Sequence, residues 1–166
     1  MTEINLAVPP RGTGPFIVYT WSTGAAAFAS TEALITTSES TSSTTYTDLT
    51  TVGPSVTITV PSSGNVRVSL YALVGLPGGA SGGGRMSVAL SGANTLAASD
   101  ANSMWNWANG GGGQGSSQPN SQYVMLFTGL TPGSTTFTAK YMTPTGNTTS
   151  FSSRRLAVYP VGVDQG

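Results

Sequence analysis

The sequence predicts an all-β protein, an antiparallel β-sandwich of jelly-roll type with about eight or nine short strands and an extended N-terminal arm. Short runs of valine, isoleucine, threonine and aromatic residues alternate apolar with hydroxyl side chains, which is typical of half-buried strands. Glycine and proline separate these runs, as turns between strands require. Helical spacing is almost absent. Residues 96–107 show it weakly, and their Asn, Ser and Asp content indicates a loop equally well.

The N-terminal region differs from the rest of the chain. Residues 1–37 are predicted to form an attachment segment with one or two strands, and residues 38–166 to form the sandwich domain. Residues 1–15 contain three Pro and two Gly without alternation, which indicates an extended arm. The apolar residues of this arm that are candidates to anchor it on another subunit are Ile4, Leu6 and Val8. The alternative is an arm without a contact. Short strands are predicted next at residues 16–21, 33–36 and 44–49.

The clearest strand is at residues 55–60, where Val56, Ile58 and Val60 alternate with hydroxyl residues and therefore share one face. Residues 61–64, with the sequence PSSG, supply a turn. The alternation then resumes at residues 65–70. We therefore predict a β-hairpin over residues 55–70, followed by another alternating strand at residues 85–90.

A second pair of strands is predicted at residues 123–127 and 137–141, joined through the Pro-Gly turn in residues 131–134. A long final strand follows at about residues 148–159. Its periodicity shifts around residues 152–154, which indicates a β-bulge. The adjacent Arg154 and Arg155 then point to opposite faces of the strand, and we expect one of them to pair with an acid inside the sandwich or on a neighbouring subunit.

Two glycine-rich stretches interrupt the pattern, at residues 75–84 and 110–117. Neither precedes a helix or contains a Lys-Ser or Lys-Thr pair, so neither resembles a phosphate-binding loop. We predict that both are surface loops. Close packing of backbones around a symmetry axis, where only glycine fits, is the alternative.

The composition excludes several classes of function. The 166 residues include no His and no Cys, and only 7% are charged, with a net charge of zero. Nucleophilic systems that need imidazole or thiol are therefore excluded, as are disulfides and Cys/His zinc sites. Six dispersed basic residues do not form a nucleic-acid stripe or a polybasic membrane patch. Polarity comes instead from 22 Ser and 25 Thr.

The acidic residues do not indicate catalysis or a cofactor. Six are scattered along the chain without a paired motif, whereas glycosidases place two carboxylates across a sugar and calcium loops cluster several acids. We predict a non-enzymatic protein without cofactor or metal. The chain also lacks the apolar run of a membrane span and the pattern of a signal peptide, so we expect synthesis in a cytoplasm.

Trp105 and Trp107, together with Asn106, form the densest group of aromatic and amide residues. Alternate residues of a strand point the same way, so both rings are expected on one face. Such a pair suits packing in the core or in a subunit interface. It also suits contact with a glycan, in which a ring stacks on a sugar and amides bond its hydroxyls.

Four segments together resemble a β-sandwich domain of tailed-bacteriophage virion proteins, particularly minor tail, fibre and capsid-decoration proteins of phages of actinobacteria. They are YTDLTTVGPSVTITVPSSG at residues 46–64, MSVALSGA at 86–93, TGLTPGSTTFTAKY at 128–141 and FSSRRLAVYP at 151–160. The resemblance covers roughly residues 38–160, and its motifs are structural.

The resemblance implies a non-enzymatic virion component, a homotrimer that displays a jelly-roll head and is fixed to other virion proteins by its N-terminal region. Related fibre proteins often carry a long stem before this domain, and the short segment here favours a compact module on the tail tip or the capsid surface. Assembly in the host bacterial cytoplasm is expected. A carbohydrate-binding or receptor-binding module that uses the tryptophan pair is the alternative function.

Overall fold

The computed structural model describes residues 31–75, 82–108 and 120–162. Nine strands lie in these ranges: β1 Thr31–Ile35, β2 Glu39–Thr41, β3 Ser55–Val60, β4 Asn65–Gly75, β5 Gly82–Gly92, β6 Ser103–Ala108, β7 Asn120–Phe127, β8 Gly133–Met142 and β9 Thr149–Val161. One 3-10 turn, Asp100–Asn102, is the helical structure of this part. No helix among the described residues is long and apolar enough to cross a membrane.

The strands form two antiparallel sheets that pack face to face. Sheet I has the order β1-β9-β4-β7, with β2 also paired to β9, and sheet II has the order β3-β8-β5-β6. With β1 and β2 taken as one interrupted strand, successive strands alternate between the sheets except for β5 and β6, which are neighbours. Two interlocked Greek keys produce this order. The predicted antiparallel sandwich of jelly-roll type is confirmed.

The predicted hairpin over residues 55–70 is wrong. β3 pairs with β8 in sheet II, whereas β4 pairs with β7 and β9 in sheet I. The turn between them, closed by a 2.9 Å hydrogen bond from the Gly64 amide to the Pro61 carbonyl, therefore carries the chain from one sheet to the other. Alternation shows which side of a strand is buried but not its partner, and these strands face each other across the core.

The second predicted pair is separated in the same way. β7 lies at the edge of sheet I beside β4, and β8 lies inside sheet II between β3 and β5. The segment at residues 96–107, predicted as weak helix or loop, ends in strand β6. A short strand with Asn and Trp residues carries a weaker alternation of hydrophobicity than one with Val and Thr, so its periodicity did not reveal it.

The core lies between the inner faces of the two sheets and is made of apolar side chains from strands β3 to β9 and of Leu49, with Ala33 of β1 packed against it. Its largest fully buried members are Tyr141, Phe137, Phe151, Leu70, Met86, Met104 and Leu156. Tyr141 and Phe151 pack with their ring centroids 5.0 Å apart, which joins sheet II to sheet I. Burial of these side chains is the main driving force for closing the sandwich.

The first glycine-rich stretch was predicted as a surface loop, and this is wrong for the described part of it. Gly75 ends β4, and Gly82, Gly83 and Gly84 begin β5 as buried residues. A Cβ on Gly84 would lie 2.6 Å from Cζ of Phe151. Glycine is therefore required there for close packing. This packing lies within the sandwich of one chain and not around a symmetry axis between chains. Residues 76–81 and the second stretch, residues 110–117, lie outside the described residues.

Strand β1 belongs to sheet I, where Thr31 pairs with Val158 of β9. The sandwich therefore includes residues before the boundary at residue 38 that the sequence suggested. The arm with Ile4, Leu6 and Val8, and the strand predicted at residues 16–21, lie outside the described residues.

A β-bulge in β9 confirms the predicted irregularity around residues 152–154. The register of β4 against β9 shifts between Tyr71 and Leu73, and Ser153 has a φ of 48°. Two residues of β9 thus face one residue of β4, which changes the set of side chains that points inward. As a result Arg154 points into the sandwich and is fully buried, whereas Arg155 is half exposed.

The buried guanidinium of Arg154 is held by Glu39 of β2 and by the segments before and after β2, although its Nε has no hydrogen-bond partner. It forms an ion pair with Glu39 of 3.2 Å and donates to the carbonyls of Thr37 at 3.3 Å and Thr51 at 3.5 Å. Its carbon Cζ lies 5.5 Å from the centroid of the Tyr141 ring in sheet II. A buried charge needs this degree of pairing to be tolerated, so the segment is held against the sandwich edge.

Replacing Arg154 with Met is expected to lower the free energy of unfolding by about 3–5 kcal/mol, because it leaves the Glu39 carboxylate without its cation. Urea unfolding followed by circular dichroism measures the loss. The matched control is Arg155→Met, which removes the neighbouring exposed pair with Glu32 and should cost about 1 kcal/mol or less. Equal losses in the two variants would contradict this account.

The stability should also fall in acid through Glu39. The hydrogen bond from the Thr51 hydroxyl, together with the Thr51 amide and Arg154, holds the pKa of Glu39 below its ordinary value of 4.5. This contribution is therefore present above about pH 4.5 and is lost as pH falls through the lower folded-state pKa. In urea titrations across that range, Glu39→Gln and Thr51→Val should show a shallower decline of stability than the unmodified protein. A decline of unchanged slope in Glu39→Gln would refute the assignment.

Candidate functional site

Strand β6 forms one edge of sheet II, and its side chains alternate strictly. Met104 and Asn106 are buried, whereas Trp105 and Trp107 are 53% and 44% exposed on the outer face. The two tryptophans therefore share a face, as their spacing predicted, and neither lies in the core. Asn106 does not join them, because it points the other way. Packing in an interface and contact with a glycan stay as the two hypotheses for this pair.

The two indole rings meet at a steep angle. Their centroids are 5.9 Å apart and their planes are inclined at 78°. The guanidinium of Arg85, from the neighbouring strand β5, lies 4.6 Å from the centroid of Trp105 and covers part of that ring. This cation–π contact fixes the orientation of Trp105.

Asp100 extends the group. Its carboxylate forms a 3.0 Å ion pair with Arg85 through Oδ2 and accepts a 2.9 Å hydrogen bond from the Tyr46 hydroxyl through Oδ1. We call these five residues the aromatic corner: Tyr46, Arg85, Asp100, Trp105 and Trp107.

The carboxylate is the more exposed of the two charged groups of the aromatic corner. The Asp100 side chain is 62% exposed, whereas Arg85 is only 17% exposed beneath it. Burial, and more weakly the carboxylate of Asp100, raises the pKa of Tyr46. The Tyr46 hydroxyl therefore stays protonated over the whole neutral range and acts as a donor to Asp100.

The sequence indicated only the two tryptophans of this site. Tyr46 is separated from Asp100 by 54 residues, and the contact depends on the segment after β2 running beside β8, where Thr47 pairs with Tyr141. The sequence held one usable signal for Arg85, namely the alternation of inward and outward side chains along a strand. Arg85 alternates with the buried Met86 and is thereby placed on the outer face, next to β6.

The described carboxylates are all engaged in separate ion pairs. The partners are Glu32 with Arg155, Glu39 with Arg154, Asp48 with Lys140 and Asp100 with Arg85. Among the residues that the structure describes, no group of three or more His, Cys, Asp or Glu side chains could hold a metal ion. The pKa of Glu39 is lowered, which is the opposite of what a general acid needs. These carboxylates serve to hold loops and strands together.

The outer faces of the two sheets differ in chemistry. On sheet II, hydroxyls of paired strands bond one another, as in Ser55 with Thr138 at 3.0 Å and Thr57 with Thr136 at 2.7 Å. On sheet I, large apolar side chains are exposed among polar and charged ones: Leu34 at 46%, Val124 at 51% and Leu126 at 58%. Their cross-strand partners are Arg155, Ser69 and Arg67. We call the surface formed by the three apolar side chains the apolar face. Antiparallel sandwiches usually keep their outer faces polar, so the apolar face indicates a contact surface.

Comparison with known protein families gives no match to any family model. A search of curated proteins likewise finds no similar sequence.

Gly83 is expected to be required for the aromatic corner. A Cβ at this position would collide with the backbone carbonyl of Asn106 and lie 3.2 Å from Nε1 of Trp105. Gly83→Ala should therefore lower the free energy of unfolding by about 1–3 kcal/mol and shift the tryptophan emission. Ser91→Ala, at an exposed position of the same strand, is the control and should change neither quantity. An unaltered Gly83→Ala variant would show that the strands are less closely packed than described.

Proposed function

We propose that this chain is a non-enzymatic bacteriophage virion structural protein, a compact module that assembles as a homotrimer on the tail tip or the capsid surface. The observation that carries the proposal is that the outer face of sheet I exposes large apolar side chains. The inner face of this sheet forms half of the core, and its outer face exposes Leu34, Val124 and Leu126. Exposed apolar side chains of this size are favourable when a second surface covers them.

The edge of sheet I supports the same proposal. Strand β7 pairs with β4 on one side, and within the described part of the chain no strand pairs with its other side. Natural edge strands are commonly protected by Lys, Pro or inward-pointing charges. The sequence of β7, NSQYVMLF, contains none of these. The edge strands of sheet II, SVTITV and SMWNWA, lack them too, but β7 differs from β3 in exposing Val124 and Leu126. Burial of this edge against other subunits would provide the missing protection.

Composition and fold class are also consistent with a particle protein. A net charge of zero disfavours solubility of an isolated domain, and incorporation into an assembly removes that disadvantage. Jelly-roll sandwiches recur in viral capsid domains and in lectins. The sequence resemblance to tailed-phage virion proteins favours the first of these. A gene beside that of the major capsid protein would place the module on the capsid, and one after the tape-measure gene would place it on the tail.

The oligomeric state tests the proposal through the apolar face. We expect the full chain to have the mass of a trimer at micromolar concentration, measured by light scattering after gel filtration. Leu126→Glu should dissociate it, because a charge in a buried apolar contact is costly. The matched control is Thr59→Glu, on the exposed face of edge strand β3 of sheet II, which should leave the trimer intact. A stable monomer before any substitution would overturn the proposal.

A further inference from the structure

We propose that the aromatic corner on the outer face of sheet II binds one pyranose residue of a neutral glycan. This goes beyond the proposed function, because it assigns a ligand to the sheet opposite the apolar face. The argument uses the exposure of the two indole rings, their mutual angle and the charge beside them.

The rings offer the apolar half of a sugar site. Trp105 and Trp107 keep 53% and 44% of their surface exposed, although burial of such large rings is favourable. A pyranose presents a face of C–H groups, which packs on an indole and removes apolar area from water on both partners. The hydroxyls of the sugar then lie around its rim, where the neighbouring side chain must meet them.

Asp100 supplies the polar half. Its Oδ1 already accepts a hydrogen bond from Tyr46, its Oδ2 is ion-paired with Arg85, and each oxygen keeps a further acceptor site. Because both oxygens are held in place, little freedom is lost when they accept two neighbouring sugar hydroxyls. Hydrogen bonds to a carboxylate are among the stronger ones.

The same carboxylate determines which sugars are accepted. Asp100 is 62% exposed, and the cation that balances it is largely covered. A uronic acid or a phosphorylated sugar would therefore meet a negative charge, whereas a neutral sugar would meet an acceptor. The site thus discriminates by repulsion as well as by hydrogen bonding.

The shape of the corner limits the ligand to one ring. Since the indole planes are inclined at 78°, they do not form a flat strip on which successive sugars of a chain could stack. One side of Trp105 is also taken by Arg85. A single pyranose can pack on one ring while its edge contacts the other, which suits a terminal or side-branch residue of a surface glycan.

The experiment is a titration of the full chain, observed by saturation-transfer NMR and by tryptophan fluorescence. The probes are the methyl glycosides of glucose, galactose, mannose and N-acetylglucosamine, with methyl glucuronide as the anionic counterpart. We expect saturable binding of at least one neutral glycoside with a Kd of about 1 mM and at least about tenfold weaker binding of the glucuronide. Trp107→Ala and Asp100→Asn should each weaken binding by about tenfold or more, with the oligomeric mass unchanged.

The matched control is Val124→Thr, which alters the apolar face and should leave sugar binding as it is. Absence of saturable binding for all four neutral glycosides would overturn the inference, and so would equal affinity for the glucuronide. A change of oligomeric mass in Trp107→Ala would show that the tryptophans are a subunit contact. That result would also overturn the glycan site, but it would leave the proposed assembly function standing.

Discussion

The fold depends on the burial of one charge. The bulge at Ser153 turns Arg154 into the sandwich, and its guanidinium must then find partners there. They are Glu39 of β2, Thr37 just before β2, and Thr51 in the segment that crosses from sheet I to sheet II. Because Cζ of Arg154 also lies over the Tyr141 ring, the same side chain touches both sheets. An apolar residue at this position would pack but would not specify the path of the crossing segment.

The two outer faces of the closed sandwich differ in their exposed side chains. The outer face of sheet II is covered with paired hydroxyls and carries the aromatic corner at its β6 edge. The outer face of sheet I exposes Leu34, Val124 and Leu126 beside charged residues, and it ends at edge strand β7. In the proposed particle, sheet I faces neighbouring subunits and sheet II faces solvent and ligands. In this account, hydroxyl groups make the outer face of sheet II polar, and exposed apolar side chains make the outer face of sheet I a subunit contact.

The sequence predicted the strands and their buried faces well, because alternation such as that of Val56, Ile58 and Val60 reports local geometry. It predicted partners poorly. The turns at Gly64 and Gly133 have the residues of hairpins, yet both connect different sheets, since the choice of sheet is made by packing across the core. The same limit applied to the site. Trp105 and Trp107 were evident, whereas Tyr46, Arg85 and Asp100 come together only through the jelly-roll topology.

The central claim is that sheet I is covered by other subunits and sheet II is not. Hydrogen exchange followed by mass spectrometry tests it directly in one edge strand of each sheet, β7 at Asn120–Phe127 and β3 at Ser55–Val60. Our account predicts that exchange in β7 slows as protein concentration rises through the range of assembly, while exchange in β3 stays constant. Exchange that is independent of concentration in both strands would contradict it, as would protection confined to β3.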